Sequence, residues 1–267
     1  MTIDAAQYGP WAVITGASDG TGAAFAHQLA QAGIHLVLVA RREGPLQSLA
    51  AELEAEYGIE TRTASIDLYN DDGAAAVIAA AAGLEVGFFV ANAGSDTNGS
   101  QFLDKSIQPW EDLMLRNVLN VVRCTHHFAG PMRDRRRGGI VILSSGSALA
   151  GQPGGAVYSG SKSFQVNFSE ALWCELRHHN VHVLCGVCAA MDTPTIRQLL
   201  ADNDLPAPPL LDPTDVVASF LEVLGQKPIH ISPFMGNDEQ MAMVEAGRLQ
   251  GVLAMEESTK RFYKAND

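Results

Sequence analysis

Tyr158 and Lys162 stand four residues apart, so on a helix their side chains share one face. A phenol titrates at about pH 10, too high for easy proton exchange near neutrality, and a neighbouring ammonium favours the phenolate. The pair therefore has the makings of a general acid/base. Ser145, thirteen residues before Tyr158, follows the apolar run Ile140-Val141-Ile142-Leu143. A hydroxyl there can hydrogen-bond to the oxygen that Tyr158 protonates, which together is a set for interconverting a carbonyl and an alcohol. Tyr-x-x-x-Lys also arises by chance on helices, as an exposed lysine beside a half-buried tyrosine. The weight of the reading rests on the elements that would position the pair.

The first strand, Trp11-Ala12-Val13-Ile14, runs into Thr15-Gly16-Ala17-Ser18-Asp19-Gly20-Thr21-Gly22 and then an amphipathic helix ending before Gly33. Strand, glycine-rich turn and helix place a phosphate at a helix N-terminus: Gly16 permits the turn, Gly20 close backbone approach, Gly22 tight helix–strand packing. The second strand, His35–Ala40, ends in Arg41-Arg42, where dinucleotide folds that take NAD often carry an acidic residue. A guanidinium suits a 2′-phosphate, so NADP(H) is the expected cofactor. The bland alternative is two arginines opening a surface loop. Helices are expected over 45–57, 71–82 and 109–132, the last containing Asn117. Strands are expected at 61–66, running into Asp67-Leu68, at 86–91, running into Asn92-Ala93-Gly94, at 140–143 and at 181–188. Alternating βα units predict an α/β, Rossmann-type, doubly wound parallel sheet of about seven strands with helices on both faces. From Met191 to Pro213 the pattern is irregular, followed by a helix at 215–224, a strand at 228–232 and a tail of helix formers bearing Met235, Met241, Met243 and Met255. Such methionines serve as core filler or subunit contact. Neither a repeat nor a linker divides the chain, so 1–267 reads as one domain with a substrate-loop region at 191–212 and a tail at 233–267.

A formal net charge of −12 over 267 residues argues against nucleic acid or an anionic membrane surface as a partner. The basic run Arg133, Arg135, Arg136, Arg137 reads as a solvated loop. No stretch is long and apolar enough to predict a membrane span, and Met1-Thr2-Ile3-Asp4 lacks the pattern of a secretory signal. Cys185-Gly186-Val187-Cys188 formally reads C-x-x-C but lies within a strand pattern with no second pair, so Cys124, Cys174, Cys185 and Cys188 are expected as free thiols in a reduced, cytoplasmic setting. The sequons at Asn98 and Asn167 are then irrelevant. His178 and His182 stand four apart without a third ligand, and no metal is expected.

Taken together these motifs resemble the short-chain dehydrogenase/reductase family in its short single-domain branch, closely from Trp11 to Thr193. The resemblance covers the Thr-Gly-x-x-x-Gly-x-Gly turn at Thr15–Gly22, Asn92-Ala93-Gly94, Asn117, and Ser145, Tyr158 and Lys162. It implies that Tyr158 exchanges a proton with the substrate oxygen as hydride moves to or from the nicotinamide. It further implies that Lys162 contacts the nicotinamide ribose and assists Tyr158, that Ser145 (rather than Ser144) orients the substrate, and that Asn117 holds a proton-relay water. Gly16, Ser18, Asp19, Gly20, Thr21, Gly22, Arg41 and Arg42 would surround the phosphates. Asp67 and Leu68 would meet the adenine, Asn92, Ala93 and Gly94 the adenosine side, and Thr193 the carboxamide. The family usually has Pro-Gly after its sixth strand; Cys188-Ala189 stands here, which puts the path to Thr193 in question.

The reading is an NADP(H)-dependent oxidoreductase of a ketone or aldehyde and an alcohol, working as a homodimer or homotetramer through the Asn117 and Tyr158 helices by analogy with the family. A noncatalytic NADP-binding sensor or scaffold is the rival from another class; it would keep the glycine turn and Arg41 but could dispense with the tetrad. A reductase of conjugated C=C bonds is a further rival on the same fold, though such enzymes usually space the tyrosine and lysine more widely. Ser159-Gly160-Ser161-Lys162 matches Ser-x-x-Lys by accident, lacking the companion motifs of acyl-serine enzymes. Ile196, Leu199, Leu200, Leu205, Leu210 and Leu211 either face an apolar substrate or close the core.

Overall fold

The computed structural model describes residues 3–95, 99–202, 204, 206, 208–232 and 237–262; Asn98, Leu205 and Met235, noted above, lie outside them. The strands are β1 (Trp11–Thr15), β2 (His35–Ala40), β3 (Thr61–Ser65), β4 (Val86–Ala91), β5 (Gly138–Ser145), β6 (Val181–Cys188) and β7 (Ile229–Ile231). They form one seven-stranded sheet in the order β3-β2-β1-β4-β5-β6-β7, with every pairing parallel. Parallel strands need crossovers, and the helices that supply them cover both faces.

Alternation along the strands divides the core. Ala12, Ile14, Leu36, Leu38, Phe88, Val90, Val141 and Leu143 face one side, where they pack with α2 (Gly20–Gln31), α3 (Glu43–Tyr57) and α9 (Pro213–Val223). Val13, Val37, Val39, Phe89, Ile140 and Ile142 face the other, under α4 (Gly73–Ala80), α6 (Asn120–Asp134) and α7 (Ala156–Arg177). Apolar residues on both faces of each central strand explain why those strands read as continuous apolar runs.

The chain reverses its order of addition between β1 and β4, the neighbours at the centre of the sheet. In open α/β sheets the crevice outside the carboxyl ends of such strands receives the ligand. The glycine turn follows β1 and the Asn92 loop follows β4, so both open into that crevice.

Several elements differ from expectation. A short α1 (Ala5–Tyr8) precedes β1, capped by the Asp4 carboxylate accepting from the Ala6 amide. The helix expected over 109–132 is α5 (Gln108–Met114), a π-helical turn (Leu115–Leu119) and α6 in succession. The region expected to be irregular contains α8 (Pro194–Asp202). The tail forms α10 (Asp238–Phe262), fastened to α7 by Arg248, which donates to Glu170 at 2.7 and 2.8 Å, and by Arg177, which donates to Glu256 at 2.7 Å. Of its methionines, Met241 packs against the small core cluster of Val166, Cys185, Val187, Ile229 and Ile231, while Met243 and Met255 are exposed.

Phe88 is fully buried at the sheet centre, edge-on to Tyr8 at 5.3 Å. Phe88→Ala is expected to cost about 3–5 kcal/mol, from lost transfer energy and the cavity left behind. Urea unfolding of the variant should show a lower midpoint at unchanged slope.

Candidate active site

Lys162 lies on α7, whose helical register turns it inward: it is 3 % exposed. Its ammonium donates to the Leu143 carbonyl at 2.8 Å and to Gln165 Oε1 at 3.0 Å. The Tyr158 ring, one turn earlier and half-buried, has its centroid 5.7 Å from Nζ. Burial, and secondarily the Arg116 charge, lowers the Lys162 pKa to about 8. Ser144 is buried and donates to the Lys162 carbonyl at 2.9 Å, joining β5 to α7. The next residue, Ser145, points the other way, as alternation along a strand requires. Its Oγ accepts from the Ser147 amide at 3.3 Å and the Ser147 hydroxyl at 3.0 Å, which leaves its own proton to donate.

Asn117 is fully buried in the π-helical turn. Its amide Nδ2 donates to Ser161 Oγ at 3.0 Å and its Oδ1 accepts from Arg116 Nε at 3.0 Å. Gln165 Nε2 donates to the Asn117 carbonyl at 2.9 Å, so one glutamine connects the Asn117 turn to the Lys162 ammonium. Gly94 completes the group: a Cβ there would lie 2.7 Å from Lys162 Nζ and 3.3 Å from Asn117 Oδ1. The structure thus brings Asn117, Lys162, Tyr158 and Gly94 together around the ends of β4 and β5.

The glycine turn is as tight as its sequence demands. Gly16 and Gly20 have φ of +70° and +53°, a region side chains avoid, and a Cβ on Gly22 would collide with the Gly16 carbonyl. Asn92 Nδ2 donates to the Thr15 and Gly16 carbonyls, each at 3.0 Å, which fastens the β4 loop to the turn. Asp19 stands at the N-cap of α2 but does not cap it; its carboxylate pairs with Arg42, which also reaches Ser18 Oγ at 3.5 Å. Thr21 is buried and its hydroxyl reaches Met191 Sδ at 3.7 Å. Arg41 is exposed with its guanidinium 5.7 Å from the Tyr69 ring centroid. Asp67 accepts from the Tyr69 amide at 3.1 Å and Leu68 is buried.

Thr193 lies over the turn: a Cβ on Gly20 would be 2.8 Å from Thr193 Cγ2. Its Oγ1 accepts from the Ile196 amide at 3.3 Å and so starts α8. The segment without Pro-Gly is held instead by Ser232 Oγ, which accepts from the Ala189 amide at 3.0 Å, and by pairing of Met191 with Leu211.

A dinucleotide fits these residues. The turn presents bare backbone where any Cβ would intrude, α2 presents an N-terminus that its own aspartate does not cap, and cationic side chains flank both. Residues that sequence reasoning missed are Gln165, Ser161, Ser147, Tyr69 and Arg116. None belongs to a spaced motif; the three-dimensional meeting of α7, the π turn and the loop after β3 shows four of them, and the tight turn after β5 shows Ser147. Cys185 and Cys188 are buried free thiols pushed up to about 12 by burial, without thiolate character. His27, Glu52 and Glu56 cluster on the exposed side of α2 and α3, with ligand atoms within 4.8 Å of one another, a grouping the sequence pattern does not reveal.

The family model for short chain dehydrogenase matches residues 10–204. The chain belongs to the short-chain dehydrogenase/reductase family. Among curated relatives, a very-long-chain 3-oxoacyl-CoA reductase of Laccaria bicolor is 40 % identical over 181 residues, covering 67 % of this chain and 54 % of that protein. The chain therefore spans about half the length of that relative. A 7β-hydroxysteroid dehydrogenase of Collinsella aerofaciens is 30 % identical over 229 residues, 83 % of this chain and 85 % of that one. Among solved structures, a 7β-hydroxysteroid dehydrogenase superposes with a TM-score of 0.80 at 28 % identity, covering 88 % of this chain and 92 % of that one. A short-chain dehydrogenase from Sphingobium yanoikuyae in complex with NADPH superposes with a TM-score of 0.79 at 26 % identity, covering 92 % and 95 %. The family's chemistry runs on a nicotinamide dinucleotide, in keeping with the cradle described above. Among the described residues no helix is long and apolar enough to cross a membrane.

The lysine's folded pKa of about 8 lies below its ordinary 10.5. Between these values the unfolded chain holds a proton that the folded chain has released, so this group makes stability rise with pH across that window. Below pH 8 the cost of burying the ammonium is present in full. Relative to Lys162→Met, the wild type should gain unfolding free energy between pH 8 and 10, as read by urea denaturation of both proteins at each pH.

Proposed function

We propose that this protein is an NADP(H)-dependent oxidoreductase interconverting a ketone or aldehyde with an alcohol on an apolar substrate. The observation that carries the reading is a buried Lys162 held beside the Tyr158 ring and fastened to the Leu143 carbonyl of β5, the strand that ends in Ser145. A dinucleotide held at the glycine turn and the arginines after β2 would supply or accept the hydride. Tyr158 exchanges the proton with the substrate oxygen. Ser145, its Oγ already accepting from Ser147, donates its hydroxyl hydrogen to that oxygen and stabilises the charge that grows there. The Lys162 ammonium has two of its hydrogens directed to Leu143 and Gln165, which fixes its position beside the phenol. Asn117, held at both ends of its amide, is the residue that would position a proton-relay water.

Preference for the 2′-phosphate rests on the end of β2. Ala40 stands where a carboxylate would bind a ribose hydroxyl, and exposed Arg41 and Arg42 follow, the latter reaching Ser18 across the turn. The NADPH held by the Sphingobium relative supports the same preference. For the substrate, Ile196, Leu199 and Leu200 form a half-exposed apolar stripe along α8, directly after Thr193. Such a stripe beside the crevice suits an acyl chain or a steroid, the classes named for the relatives. Self-association through the Asn117 and Tyr158 helices is consistent with exposed Leu119 and with Phe164 stacked on Phe168 at 5.4 Å.

Tyr158→Phe is expected to lower kcat about 100- to 10,000-fold, the usual worth of a positioned general acid, while NADPH binding measured by fluorescence stays within a few fold. Turnover undiminished in that variant would overturn the reading. Arg41→Ala should weaken NADPH about 10-fold or more, the scale of a charge-assisted hydrogen bond, and leave NADH unchanged; an unaltered ratio of the two affinities would refute the preference.

A further inference from the structure

Arg116 is a cation in the interior, 7 % exposed, one residue before Asn117. Its Nε donates to Asn117 Oδ1 at 3.0 Å. Its terminal nitrogens donate to the Ser95 carbonyl and to the Tyr69 hydroxyl. The guanidinium also lies 4.5 Å from the centroid of the Tyr69 ring, within cation–π range. Tyr69 follows Asp67-Leu68 after β3, and Arg41 approaches the same ring at 5.7 Å. A continuous set of contacts therefore runs from Arg41 at the end of β2, through Tyr69 and Arg116, to Asn117, and from Asn117 through Ser161 to the Tyr158 carbonyl at 2.7 Å.

The chemistry of the link is specific. A planar guanidinium can hold a side-chain oxygen, a backbone carbonyl and a phenol in one fixed fork, which an ammonium cannot. Asn117 is directed by it: with Oδ1 accepting from Arg116, the amide must turn Nδ2 to Ser161. A hydrophobic residue at 116 would leave that orientation unset and would free Tyr69 from the turn.

We propose that Arg116 is a positioning residue for the carbonyl–alcohol reaction, and that with Tyr69 it couples occupation of the adenosine end of the cofactor site to the setting of Asn117. The inference rests on the functional reading above, since the reaction it serves is the one proposed there. Arg41 and Tyr69 border the adenosine end; a dinucleotide that orders them restricts the fork, and the fork restricts Asn117. The same guanidinium faces Lys162 as a like charge. The other titratable groups around that ammonium are the Tyr158 phenol on α7 and the Cys185 and Cys188 thiols on β6.

The test compares wild type with Arg116→Gln, Arg116→Lys and Tyr69→Phe, each checked for folding by thermal denaturation. With NADPH and a saturating ketone, Arg116→Gln should lose about 10- to 100-fold in kcat, the scale of one or two charged hydrogen bonds, with NADPH affinity changed by less than about 3-fold. Removing the like charge raises the Lys162 pKa, so the alkaline limb of its pH–kcat profile should move up. Arg116→Lys keeps a charge but not the fork; its kcat should stay low while the limb stays near that of wild type. Tyr69→Phe should lose less, and the double variant with Arg116→Gln should be no worse than Arg116→Gln alone. Unchanged kcat in Arg116→Gln, or additive losses in the double variant, would overturn the inference. Hydrogen exchange gives a readout that needs no turnover: NADPH should protect residues 115–119 in wild type and not in Arg116→Gln, with the glycine turn protected in both. Equal protection of 115–119 in both proteins would sink the coupling even if no ketone is reduced, whereas absence of wild-type ketone reduction alone counts against the function and not against the coupling.

Discussion

Placing an ammonium inside the protein is the constraint from which most of the site follows. A buried Lys162 must be given acceptors, or it would shed its charge. The acceptors come from two directions, the Leu143 carbonyl at the end of β5 and the Gln165 side chain one helical turn away. Those demands fix α7 against β5, a junction reinforced by Ser144 donating to the Lys162 carbonyl. They also require that Gly94 carry no side chain, because the β4 loop passes where a Cβ would meet Nζ. Tyr158 then stands beside the ammonium as a consequence of helical spacing.

The rest of the fold delivers partners to that point. Parallel strands all end at one edge of the sheet, so the glycine turn, the arginines after β2, the Asn92 loop, Ser145 and the segment leading to Thr193 emerge together. Asn92 clamps the turn through two carbonyls, and Thr193 covers Gly20 from the far side. In this way residues far apart in the chain share one crevice.

How much of this was legible beforehand depends on the kind of constraint. Backbone constraints show in sequence because only certain residues satisfy them: Gly16 and Gly20 at positive φ, and Gly22 against the Gly16 carbonyl, announce the turn. Periodicity showed the buried strands and the Tyr158–Lys162 face. The choice of Ser145 over Ser144 came from the family's spacing, and the opposite directions of the two side chains accord with it. What was not legible arises where distant segments meet. Gln165 and Arg116 are unremarkable letters in a helix until the π turn brings them to Lys162 and Asn117. The helix α8 is hidden in the sequence because Pro194 and the prolines from Pro206 on are signals of an irregular stretch, whereas Pro194 only opens the helix, as proline does at a first turn. The break in the long helix around Asn117 leaves no trace in the sequence because apolar periodicity does not register one extra residue in one turn.

That extra residue sets the phase between the two halves of the helix. A π-helical turn holds one residue more than an α-turn, and each residue in a helix advances the face by about 100°. Losing one residue between Leu115 and Leu119 would let the segment relax to regular helix, and everything on one side of the change would turn by that angle relative to the other. Either Asn117 would leave the interior or the apolar face of α6, with Val121, Cys124 and Phe128, would leave the sheet. The length of this one turn is therefore set by two burials at once, that of Asn117 on one side and that of the α6 face on the other.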